Sequence, residues 1–261
     1  MDRRTPELLD AGGLWRRRWL RTPECEDSTS HVLWMQGEQM HVDLRLPAAA
    51  KAFRHAPSLS ALDAGQLRLL ARAEGFAGRT TLVDGVCTWR RHINFQGPLK
   101  GIDTGKILQT PEGLREIGIH APCEALWESV DTTLPQARQM SNSQGQTLVI
   151  LWTATRFAMG RGWHERTIHT RSLLEHVNYA LSCGNHSVLA RAFDQEFCFG
   201  RMEDEQGVIE HSTQPMRCGK KAFDAAPLFT RAARIRVQIS DFHGQVREEE
   251  FRVERRSVAM A

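Results

Sequence analysis

The residues best equipped for chemistry lie in two short alternating stretches. In MHVDLRL (40–46), His41, Asp43 and Arg45 share one face, and Met40, Val42, Leu44 and Leu46 share the other. In WRRHINF (89–95), Arg91 falls on the face of Trp89, Ile93 and Phe95, while His92 and Asn94 fall on the opposite one. Together they supply proton carriers, a carboxylate and guanidinium forks. His41, Asp43 and His92 are the candidate catalytic residues, because imidazole exchanges protons near neutral pH. Arg45, Arg91 and Asn94 are candidates to grip the polar end of a ligand. This chemistry requires the polar face to point inward. Alternation fits equally a sheet whose polar face is wetted by solvent, which is the commoner arrangement.

Seven tryptophans and eleven phenylalanines stand against one tyrosine. In a barrel such rings either plug the floor or line an apolar cavity. Trp34, Trp89 and Trp127 are assigned to a ligand wall, with Glu124 beside the last of them, and Trp15 or Trp19 to a plug. Glu116, Glu124, Glu128 and Asp103 could include a paired-carboxylate centre, but a sequence does not give their separation.

Other chemistries find less support. His164, Glu165, His169 and His176 do not converge at any metal-binding spacing. The cysteines form no C-x-x-C pair, so they read as reduced structural thiols. No metal ligand is assigned and no cofactor is expected. A metal stays open, and so does haem, since histidines and apolar pockets coexist in some lipocalin-like barrels. No serine-hydrolase elbow, phosphate loop or dinucleotide fingerprint follows any strand.

The elements that must hold these residues are mostly strands. Asp84-Gly85 supplies the positive φ angles of a two-residue hairpin between two β-rich runs. Leu14–Arg21 is a first strand. His31–Gln36 and Gln39–Leu46 form a hairpin about Gly37-Glu38, ended by Pro47. Leu59–Glu74 has a helical apolar face. Gly105–Thr110 reads as a strand and Leu114–Val130 as one or two. Gln146–Phe157, Val188–Arg201 and Gly207–His211 read as strands, Met159–Gly162 as a turn leading into Trp163–Arg171, and Ser172–Ser182 as a helix. Ile235–Asp241 and Gln245–Val253 close the chain as a hairpin about His243-Gly244. Leu134–Gly145, polar and aperiodic, is the boundary segment. It divides the chain into a first barrel over 1–133 and a second over 145–261. LARA followed by FAGR (70–79) is echoed by LARA followed by FCFGR (189–201), which suggests a duplicated unit.

Composition sets the remaining bounds. At 41% hydrophobic and 25% charged, the 261 residues can bury a large core. The net charge of +3 conceals 29 arginines against five lysines, balanced by acids rather than gathered in one block. A nucleic-acid partner is therefore not expected. No apolar run spans a bilayer and residues 1–10 have no signal-peptide core, so a cytoplasmic protein without a membrane partner is expected. Oligomerisation is left open.

The order D-L-R-L-P (43–47), W-R-R-H-I-N-F (89–95), D-T-G (103–105) and E-A-L-W-E-S-V-D (124–131) resembles the fungal HRI-type proteins and their uncharacterised bacterial relatives. Ser129 stands where that family's last block has proline. The likeness covers about the first half of the chain, and the second half matches only in its long opening strand. The resemblance implies a mainly β protein of two tandem antiparallel lipocalin-like (calycin) barrels with one or two short helices, and a ligand cavity. It transfers no catalytic residue.

The function expected is cytoplasmic binding of a small, partly apolar metabolite in a lipocalin-like cavity. One alternative is a lyase, isomerase or hydrolase in a His/Arg-lined pocket. A second is a protein-interaction module whose barrels are filled.

Overall fold

The computed structural model describes residues 11–97, 101–164, 171–230 and 232–253. Most runs read as strands fall on strands, and the strands close on themselves twice. Gln146–Phe157, however, divides between two of them, and Met159–Gly162, read as a turn, lies inside the second. The first barrel comprises β1 (Gly13–Arg21), β3 (His31–Gln36), β4 (Met40–Leu46), β5 (Glu74–Val83), β6 (Val86–Asn94), β7 (Asp103–Thr110), β8 (Gly113–Gly118) and β9 (Glu124–Asp131). All neighbours run antiparallel, β9 pairs back to β1, and a two-residue β2 (Glu26–Asp27) extends the end of β1. The second barrel is β10 (Gln136–Ser141), β11 (Gln146–Trp152), β12 (Arg156–Trp163), β13 (Glu196–Glu203), β14 (Gln206–Ser212), β15 (Lys221–Asp224), β16 (Arg234–Ser240) and β17 (Val246–Val253). The fold is thus mainly β, two closed eight-stranded antiparallel barrels in tandem with short helices.

Local chemistry explains the turns. Asp84 and Gly85 take φ values of 51° and 76°, the left-handed pair that matches strand twist in a two-residue hairpin. Helix α1 (Ala64–Leu70) starts at a capping box in which Asp63 accepts from the Gln66 amide and Gln66 accepts from the Asp63 amide. The longer helix expected over Leu59–Glu74 is cut to this piece plus a 3-10 turn at Leu59–Ala61. Ser172 and Glu175 cap α2 (Leu173–Ser182) in the same way.

Several expectations are corrected. Val188–Ala192, read as the start of a strand, belongs to helix α3 (His186–Ala192), capped by Asn185. Its Leu189 buries against the helical layer as part of an i, i+3/i+4 pattern that a short apolar run also presents as strand. The segment Leu134–Gly145 contains β10, whose alternation is masked because only Met140 of its six residues is fully buried. The candidates Glu165 and His169 lie outside the described residues.

A β-bulge opposite Gly78 changes the faces of β6. Arg91 pairs with Gly78, Ile93 with Ala77, and one residue is extra between them. Trp89 therefore points into the barrel, whereas Ile93 and Phe95 turn outward. A Cβ on Gly78 would lie 2.0 Å from the Arg90 carbonyl oxygen, so the crossing requires glycine.

The barrels pack side by side. Leu33, Met35, Val42, Leu44 and Ala77 on the outside of the first meet Val149, Leu151, Ala158, Phe197 and Phe199 on the outside of the second, with α2 and α3 in the same core. The alternation of β4 is thereby inverted relative to a solvated barrel. Its apolar face is outside, covered by the second barrel, and its polar face is inside.

The LARA echo occupies equivalent places. In each barrel a helix inserted after the third strand leads into the fourth, α1 into β5 and α3 into β13.

Candidate functional site

Inside the first barrel, four indoles form one cluster. Trp34 lies 6.4 Å from Trp15, 6.0 Å from Trp89 and 5.6 Å from Trp127, the last two edge to face. Trp15 donates to the Ala11 carbonyl, a plug at one end, while Trp19 lies apart under the Arg21 guanidinium.

Above the indoles sits a charged layer. Arg45 Nε donates to Asp43 at 2.9 Å and its Nη1 approaches Glu74 at 3.5 Å. Arg91 holds Asp103 at 2.5 Å. The Phe76 ring lies between the two guanidiniums, 3.6 Å from that of Arg91 and 5.0 Å from that of Arg45. Glu116 accepts from Trp127 Nε1 at 2.8 Å.

Burial pushes the Asp43 and Glu116 carboxyls up, against the pull of the arginines. Burial works against the Arg45 charge too, but Asp43, Glu74 and Glu116 together hold it above its usual range. The gap enclosed by Trp34, Asp43, Arg45, Phe76, Trp89, Asp103, Glu116 and Trp127 is about 10 Å³, space for about one water molecule.

Of the sequence candidates, Asp43, Arg45, Trp34, Trp89 and Trp127 meet at this gap, with Arg91 at its edge. The others are placed elsewhere. His41 is fully buried beneath the layer, its Nδ1 2.9 Å from Thr80 Oγ1, which itself donates to Gln36. That chain makes Nδ1 the protonated nitrogen and leaves Nε2 bare. Burial, with Arg91 and His92 behind it, lowers the pKa of His41 to about 3, far from a neutral-pH proton carrier. His92 faces the second barrel, bonding Gln139 at 2.7 Å and stacking near His164. Asn94 bonds the Gly97 carbonyl within its own turn. Glu124 pairs with Arg115 on the outer surface. Of the four acids considered as a catalytic pair, only Glu116 and Asp103 line the gap.

The second barrel encloses Leu148, Ile150, Trp152, Phe157, Met159, Phe223, Val237 and Phe251, an apolar filling without a charged layer at this level. Arg138 lies over the Trp152 ring and donates to the Leu228 and Ala232 carbonyls, while Glu196 accepts from Ser212 at 2.7 Å and pairs with Arg217 at 3.4 Å.

A roomier space lies between the barrels. A groove of about 460 Å³ is walled by β1, β3 and the 3-10 turn Ala48–His55 on one side, and by His211–Cys218 on the other. Arg16, Arg17, Arg18, Lys51 and Arg54 line it, with Glu128 the carboxylate among them. Val32, Leu46, Ala50 and Pro215 give it an apolar side. The His31 and His211 rings meet within it, centroids 4.0 Å apart and planes tilted by 37°. Burial lowers the pKa of each to about 4, helped for His31 by His211, Lys51, Arg16 and Arg54, and for His211 by Arg54, Lys51 and Arg156. These residues are scattered from 16 to 218, and no local pattern joins them.

No family model matches the chain, and a search of curated proteins gave no match. Among solved structures, the chain is similar to an uncharacterised protein from Saccharomyces cerevisiae. That likeness has 11% identity and a TM-score of 0.48 over 93% of this chain and 97% of the other.

All six cysteines are free thiols. Among the described residues no cluster of three or more His, Cys, Asp or Glu could hold a metal ion, and no helix is long and apolar enough to cross a membrane.

Proposed function

We propose that this protein binds a small, partly apolar molecule with an anionic end, and that the ligand sits in the groove between the barrels rather than within either one. The observation that carries the reading is the groove itself. Its 460 Å³ falls in the range of small-molecule sites, roughly 300–1,000 Å³, and it sets guanidinium and ammonium groups opposite an apolar wall. The first barrel has the right chemistry but not the room, since its gap holds about one water.

Native mass spectrometry of freshly purified protein tests this. A co-purifying small acid that is lost from a Lys51→Ala, Arg54→Ala variant supports the groove. A ligand retained by that variant but lost on Trp34→Ala places binding inside the barrel and refutes it.

A second reading is a protein-interaction module, favoured by the filled interiors of both barrels. It expects no small molecule in the native spectrum and no thermal shift with small anions.

A further inference from the structure

We propose that the ligand's anionic end is a doubly charged oxyanion, a phosphate monoester in chemical class, held chiefly by Lys51 and Arg54. This rests on the groove being the ligand site, and it adds the identity of the head group.

The groove lining holds more cations than carboxylates. Of the five cations lining the groove, Arg17 is spent on Asp27 at 2.6 Å, and Arg16 and Arg18 share Glu128. Lys51 and Arg54 form no ion pair with a carboxylate among the described residues; Arg54 donates to the Glu210 backbone carbonyl at 2.7 Å. The two stand three residues apart on a 3-10 turn, where i and i+3 eclipse, so both present to the same side.

A carboxylate would neutralise one of these charges, whereas a phosphate monoester, which carries nearly two at neutral pH, answers both. Its oxygens suit the fork of Arg54 and the point charge of Lys51. The neighbouring imidazoles, His31 and His211, are held neutral by burial, with the same cations adding to it, and bring no competing charge. The groups facing that histidine pair are Arg16 of β1, Lys51 and Arg54 of the 3-10 turn, and Arg156 of β12. The apolar wall of Val32, Leu46, Ala50 and Pro215 accounts for an ester rather than free phosphate.

Isothermal titration of the full chain at pH 7.5 with phenyl phosphate, inorganic phosphate, benzoate and benzyl alcohol separates these contributions. Phenyl phosphate should bind about tenfold or more tighter than benzoate, as expected for adding one charge-assisted contact. It should also bind tighter than inorganic phosphate, which has no apolar body. Lys51→Ala and Arg54→Ala, both at exposed positions where folding is not at risk, should each remove most of that preference.

Equal affinity for phenyl phosphate and benzoate, with both weakened by the two variants, overturns the head-group assignment and leaves the groove reading standing. Equal affinity for inorganic phosphate overturns the ester. Phenyl phosphate binding that neither variant alters places the site elsewhere and overturns both readings. Failure of all four probes to bind overturns both as well.

Discussion

The ring centroids of His31 in the first barrel and His211 in the second lie 4.0 Å apart, tilted to each other, and each ring is buried beside cations. Both rings are therefore neutral in the folded protein down to about pH 4, whereas in the unfolded chain they take up protons near their ordinary value of 6.5. Between those values the unfolded state binds more protons, so the stability associated with this pair is complete above pH 6.5 and is lost as pH falls toward 4. Urea midpoints measured across pH 7.5 to 4.5 should fall less steeply for His31→Gln, His211→Gln than for the native chain. Parallel curves would show that the pair has no such role.

The contact between barrels turns on one ring. Phe197 lies where added Cβ atoms on Gly75 and Gly160 would come within 2.4 and 2.7 Å of it. Phe197→Ala should cost about 3–5 kcal/mol by leaving a cavity. Gly75→Ala should cost about 1–3 kcal/mol by overpacking. Denaturant titration measures both, and a loss under about 0.5 kcal/mol in either variant, the range of an uninvolved surface change, would contradict this packing.

Glu196 is fully buried at the end of the second barrel, accepting from Ser212 and pairing with Arg217. Glu196→Ala strands a buried guanidinium and should destabilise by about 3–5 kcal/mol. Arg217 also donates to the Gln238 carbonyl, so the Glu196→Gln variant, which keeps an acceptor for Ser212, should lose less. Equal losses in the two variants would place the effect in packing rather than charge.

His41 gives a spectroscopic prediction. With Nδ1 bonded to Thr80 and its pKa near 3, the ring should remain neutral as the folded protein is titrated from pH 8 to 5. Long-range nitrogen–proton NMR spectra should show the Nδ1-protonated tautomer throughout. A midpoint near 6.5 would restore His41 as a proton carrier.

The sequence by itself determined most of the strands and the Asp84-Gly85 turn, because alternation and positive-φ residues act over a few neighbours. Alternation also put Asp43 with Arg45 on one face and Trp89 with Arg91 on another, but it grouped His41, His92 and Asn94 with them and could not say which faces meet. Only the tertiary structure decided that the Asp43 face looks inward. Burial of Val42 and Leu44 against Val149 and Phe197 of the other barrel reverses the usual sidedness, and alternation is symmetric between the two outcomes. The bulge opposite Gly78 was likewise invisible, because one extra residue shifts Ile93 and Phe95 outward without changing their order. The groove lies furthest from any local signal. Lys51 and Arg54 acquire their setting from His211 and Pro215, more than 150 residues away, and only the closing of two barrels side by side brings those surfaces together.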